Sequence, residues 1–168
     1  AVSYHKGQYP IYSGTSMELG NHMIDIKSHC TEEEFNEIVK ANGNKNVINY
    51  SNIVDEMSKQ EEILKRVYER EKNNIEFTDF KAQNSKRLEP KALYRVLREI
   101  NHTHDYKEWN EVDKKLYSLP QAERDKRIAE IYKQKNKEID FYKFKQFLAE
   151  KDLKNAKEKL NQKGLKLD

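Results

Sequence analysis

One cysteine, Cys30, is all the thiol chemistry this sequence offers, which excludes an intramolecular disulfide framework and fits a reducing compartment. Long hydrophobic runs are missing: no stretch approaches the ~20 apolar residues that a membrane span needs. Proline and glycine are scarce, with three and five copies, so few positions compel the chain to turn. No secretory leader is recognisable at the start, although a mature chain would have shed one. Neither a glycine-rich phosphate loop, an HExxH pair nor a GxSxG elbow occurs. Strong charge of one sign is absent too, since a net charge of +3 is too small to demand a polyanionic partner.

What is present is charge of both signs, at 36% of residues, beside an equal 36% of hydrophobic ones. Such a chain is expected to be soluble, with its apolar residues gathered into narrow faces. The most legible stretch runs from Thr31 to Met57. Thr31 and Glu34 stand at capping-box spacing, where hydroxyl and carboxylate each satisfy a free backbone N–H. Phe35, Ile38 and Val39 continue as a helical stripe, and Asn42-Gly43-Asn44 predicts its end. Val47, Ile48 and Tyr50 are β-prone, after which Ile53, Val54 and Met57 resume helical spacing. The reading is helix, tight loop, short extended step, helix.

This stretch resembles a helix-loop-helix unit of the calmodulin, troponin C and myosin light-chain superfamily. There the first helix begins T-x-E-E and the second is entered through I-x-[FY]-x-x-F. Ile48-Asn49-Tyr50-Ser51-Asn52-Ile53 stands in the second place, and Glu18 to Met23 resembles the end of a preceding hand. Similar entries follow at Ile75-Glu76-Phe77-Thr78-Asp79-Phe80, at His104 to Trp109 and at Ile139-Asp140-Phe141-Tyr142-Lys143-Phe144. YEREKNNIEFTDFK from Tyr68 and YKQKNKEIDFYKFK from Tyr132 share Tyr, Ile, Phe, Phe and Lys at the same offsets, which reads as an internal repeat. The resemblance implies that the Ile-type positions face one another in short bridges. It implies too that Ile48, Tyr50, Ile53, Met57, Ile75, Phe77, Phe80, Tyr106, Trp109, Ile139, Phe141 and Phe144 form the core entries and partner groove.

Between these entries the periodicity predicts a charged helix from Ser58, a helix over Glu89 to Asn101 with Pro90 in its first turn, and another over Ala122 to Gln134 broken at Lys135-Asn136-Lys137. Residues 1 to 16 read either as a divergent first hand or as an arm packed by its tyrosines. The last stretch, Lys151 to Asp168, carries six lysines around Leu153, Ala156 and Leu160 and reads as an extension of the final helix, fraying after Gly164. Its basic face is a solvated surface or a seat for an acidic partner.

A Ca2+ loop needs several oxygen ligands and a closing bidentate Glu. Asn52 stands at that closing place in the best hand, and Lys133, Lys135 and Lys137 crowd the last loop with ammonium groups that repel a cation. The shortened loop with Asn101, Thr103, Asp105 and Glu108 offers at most a weak Ca2+ site, so no cofactor is expected. His22, His29 and Cys30, and His102 with His104, lack structural-zinc spacing, and surface or loop histidines are the plainer reading. Cys30 precedes a helix start, where a dipole would favour its thiolate, but no ordered base and acid accompany it.

The expectation is an all-α protein of EF-hand-like helix-loop-helix units paired into calmodulin-like lobes, with an additional C-terminal hand and a helical tail. The implied units are residues 1–57, 58–117 and 118–168. The function implied is non-enzymatic: a largely calcium-independent, light-chain-like scaffold clasping an amphipathic helix within a larger, cytoplasmic and cytoskeletal or motor assembly. The alternatives are a true Ca2+ sensor and a basic nucleic-acid binder using Lys151 to Lys166.

Overall fold

In the computed structural model, described over residues 19–43 and 50–165, the protein is all-α, and no strand occurs among the described residues. Six α-helices follow in order: α1 (Glu32–Asn42), α2 (Tyr50–Glu71), α3 (Ile75–Gln83), α4 (Ser85–Ile100), α5 (Glu111–Lys114) and α6 (Gln121–Gln162). Short 3-10 turns cover Asn21–Met23, Ile26–Ser28, Tyr106–Glu108 and Leu116–Ser118. No described helix is long and apolar enough to cross a membrane.

Local chemistry sets the ends of these helices. Thr31 Oγ1 accepts from the Glu34 N–H at 3.2 Å while Glu34 Oε2 accepts from the Thr31 N–H at 3.0 Å, so the capping box is present. α1 stops at Gly43, whose φ of 73° is the left-handed region that glycine enters without a Cβ clash. α6 closes on Gly164 at φ 74°, with the Gly164 N–H donating to Asn161 O and the Leu165 N–H to Leu160 O. That pair of bonds is a Schellman closure.

One of the expected breaks is missing. No Gly or Pro interrupts residues 50–71, so α2 runs on past Met57. At the Lys135-Asn136-Lys137 stretch the expected interruption is present as a kink: Lys135 leaves helical geometry, with φ −129° and ψ 22°, and two helical segments of α6 meet there. α4 begins earlier than the sequence implied, so Pro90 lies inside it and denies Lys86 its carbonyl's usual intrahelical donor.

The chain divides into two compact units. The first is Ala1–Asn74 with Phe144–Asp168, and the second is Ile75–Lys143. In the first, α2 buries Ile63, Leu64, Val67 and Tyr68, and the Tyr68 ring meets that of the fully buried Phe144 at a centroid distance of 5.5 Å. Arg70 holds Glu34 through paired bonds of 2.8 and 3.0 Å, tying α2 to the start of α1. In the second unit Ala92, Leu93, Val96 and Leu97 of α4 pack with Trp109, Leu116, Ile131, Ile139 and Tyr142 in one buried cluster.

The pairing of helices into EF-hands is not shown. Ile75 opens α3 with a relative exposure of 77%, and Ile139 lies buried within α6, so neither sits in an inter-loop bridge.

Candidate functional site

Residues 19–30 form an arm that α6 holds by its side chains. Too short and too varied in pattern for a full helix, the arm makes its two 3-10 turns and leaves backbone groups without helical partners. The buried Gln146 serves both main-chain groups of Leu19, its Oε1 accepting from the N–H at 3.1 Å and its Nε2 donating to the carbonyl at 2.9 Å. Six residues on, Asp152 Oδ2 accepts from the Asp25 N–H at 2.8 Å, and both Asp152 oxygens lie 2.8–3.0 Å from His29 Nε2. Ser28 Oγ donates to Asp25 Oδ2 at 2.6 Å.

Between this arm, the end of α2 and the stretch of α6 from Lys151 to Lys159 lies a cleft of about 720 Å³, wholly within the first unit. Its carboxylates are Asp25, Glu71 and Asp152, its cations Lys151 and Lys159, and its uncharged polar groups include Asn74 and Asn155. Met23, Ile24, Leu153 and Ala156 supply apolar surface. The His29–Asp152 pair is largely shielded from solvent, which orients one carboxylate of the cleft.

The most buried carboxylates among the described residues lie elsewhere and are fully engaged. Burial of Asp113 pushes its carboxyl up, but bonds from Arg127, Asn101 and Asn110 outweigh that push and hold it below its ordinary value. Glu34 is likewise held down, chiefly by the Arg70 guanidinium. Both are ion pairs by geometry, each gripped by a guanidinium through two bonds. Cys30 corrects the thiolate expectation: burial and then the neighbouring Glu34 carboxylate push its thiol up, away from nucleophilic use. His104 contacts Arg98, and His102 occupies φ 54° in the loop after α4. Among the described residues no group of three or more His, Cys, Asp or Glu side chains is arranged to hold a metal ion.

The residues expected to form a partner groove fall in both units and differ in burial. Phe77, Trp109, Ile139, Phe141 and Phe144 are buried, and Phe80 is half-buried. Ile53, Met57, Ile75 and Tyr106 are exposed. Ile48 and the side chain of Tyr50 lie outside the described residues. Of these positions, none lines the cleft.

The glycoside hydrolase 77 family, described as 4-alpha-glucanotransferase, matches residues 3–168. The chain belongs to this family. No curated protein and no solved structure matches it.

Membership of the glycoside hydrolase 77 family overturns the resemblance to the calmodulin, troponin C and myosin light-chain superfamily. With it fall the calcium-independent helix-binding scaffold, the Ca2+ sensor and the basic nucleic-acid binder, as does the expectation that the protein is not an enzyme. The physical reason for the error is visible at α3. The pattern I-x-F-x-x-F arises wherever a helix offers aromatics to a core, and here it buries Phe77 while leaving Ile75 in solvent. The cleft residues are hidden in the sequence because they come from three segments far apart in the chain. His29 stands out there only as a candidate zinc ligand, and nothing in KDLKN marks Asp152 as its partner.

Proposed function

We propose that the protein serves α-1,4-glucan transfer, cleaving a glycosidic bond in a donor glucan and passing the released glucanosyl group to the 4-hydroxyl of an acceptor. The family match over residues 3–168 carries this reading. Donor and product linkages are both α, so the anomeric configuration is retained. Retention calls for two displacements. A carboxylate attacks the anomeric carbon while a carboxylic acid protonates the departing oxygen. The acceptor hydroxyl, deprotonated by that same second group, then displaces the first carboxylate.

Two carboxyl groups about 5–5.5 Å apart would meet this demand. Asp25, Glu71 and Asp152 share the cleft and are the carboxylates nominated for it, in contrast to Glu34 and Asp113, which face guanidinium groups. Maltotriose incubated with the protein tests the reaction. Two molecules are expected to give glucose and maltopentaose, and then longer products, detected by anion-exchange chromatography. Glu71→Gln or Asp152→Asn is expected to slow this by roughly 10²–10⁴-fold. Maltotriose left unchanged by the native protein would overturn the reading.

A further inference from the structure

We infer that Asn42 is a site of spontaneous deamidation, and that the charge this creates releases the end of α1 from α2. The chemistry is local. The Gly43 main-chain nitrogen gives up its proton and attacks the side-chain carbonyl carbon of Asn42, closing a five-membered succinimide. The bond from that carbon to Nδ2 breaks, and ammonia leaves carrying the proton. Water then opens the ring at either carbonyl, leaving an aspartate or an isoaspartate in place of Asn42. No oxidant or reductant takes part. A residue without a Cβ offers the least hindered nitrogen for ring closure, and Gly43 is that residue.

Three observations support the site. Asn42 and Gly43 are both exposed, so water reaches the carboxamide. Asn42 is the last residue of α1, where helices fray. The Gly43 N–H reaches Lys40 O at 3.2 Å, longer than the 2.9 Å from the Phe35 N–H to Thr31 O at the other end of the helix, so the attacking nitrogen is loosely restrained. The carboxamide also joins two helices. Its Nδ2 donates to Glu56 Oε2 of α2 at 2.5 Å, and Glu56 Oε1 in turn accepts from Gln60 Nε2 at 2.9 Å. A carboxylate in place of that amide sets two anions where a donor met an acceptor, and does so at the negative end of the α1 dipole. Both effects push the last turn of α1 away from α2. An isoaspartate adds a main-chain carbon and breaks the helical repeat as well.

The native protein and a urea-unfolded sample, incubated side by side in mildly alkaline buffer and then digested for mass spectrometry, test the site. The peptide carrying Asn42 is expected to gain one mass unit in the folded sample within about tenfold of the unfolded rate, since a frayed helix end opens at little cost. Gly43→Ala, compared in urea where backbone strain plays no part, is expected to convert at least tenfold more slowly. Retardation on folding beyond tenfold, or a Gly43→Ala chain converting as fast as the native one, would overturn the site. Asn42→Asp reproduces the charge for the second half of the inference. Hydrogen exchange at the last turn of α1 is expected to quicken at least tenfold in this variant. In a Glu56→Gln background the same change should quicken it only about threefold, the share left to the helix dipole. Exchange unmoved by Asn42→Asp, or quickened as much in the Glu56→Gln background, would overturn the release.

Discussion

Asp113 and Arg127 meet through two parallel hydrogen bonds, Nε to Oδ1 at 2.8 Å and Nη2 to Oδ2 at 3.0 Å, with none of the Asp113 side chain open to solvent. Asn101 Nδ2 and Asn110 Nδ2 complete the shell at 2.9 and 2.6 Å, so the loop after α4, the start of α5 and α6 converge on one carboxylate.

Removing the guanidinium strands a buried charge. Arg127→Ala is therefore expected to destabilise the protein by about 3–5 kcal/mol, the range for breaking one side of a buried pair. Arg127→Lys keeps the charge but loses the fork, and should recover only part of the loss. Urea denaturation followed by circular dichroism measures both. A change below about 1 kcal/mol for Arg127→Ala would show that the pair behaves as an exposed one.

Acid should act on the same network. Asp113 and Glu34 both have folded values below their ordinary 3.8 and 4.5. Their contribution is thus complete above those ordinary values and is lost as pH falls through the lower, folded ones. Melting temperature is expected to be level near neutrality and to fall steeply below about pH 4. Asp113→Asn, less stable at neutral pH, should show a shallower acid slope. Parallel slopes for native and variant proteins would contradict this.

The capping box predicts a smaller effect. Thr31→Ala removes the acceptor for the Glu34 N–H and should cost about 1 kcal/mol. Thr31→Ser keeps the oxygen and should cost much less. Equal denaturation midpoints for the native and Thr31→Ala proteins would mean that α1 starts without its cap.

Cys30 should be a slow nucleophile. Burial, followed by the Glu34 carboxylate, raises its thiol, so the iodoacetamide alkylation rate is expected to keep climbing with pH past the point where an ordinary cysteine levels off. Glu34→Gln removes the second cause and should bring the inflection down. An inflection below about 8.5, the value of an ordinary cysteine, would refute the expectation.

The parts of the fold that the sequence made legible are those whose causes lie within a few residues. Thr31 and Glu34 are three apart, Gly43 ends α1 where Asn42-Gly43-Asn44 foretold it, and Lys135 distorts the helix within the stretch where a break was expected. The stripe Leu93, Val96, Leu97 and Ile100 likewise packs on the second unit's core. Long-range causes were hidden. Asp113 takes partners twelve and fourteen residues away, and His29 finds Asp152 across 123 residues, with no local pattern to announce either. The repeated Ile-aromatic entries misled because a periodic apolar face records burial without recording what is buried against it. At Phe77 and Phe144 that burial is complete, yet the first lies in the first turn of a nine-residue helix and the second deep within α6.

The Gln146 clasp has an evolutionary corollary. Because it answers the amide and carbonyl of Leu19 rather than the side chain, the clasp itself can form with any residue at position 19 that keeps its N–H. Position 146 has no such latitude: glutamate lacks the donor, asparagine the reach, and leucine both, so the burden of keeping that junction intact rests on one amide.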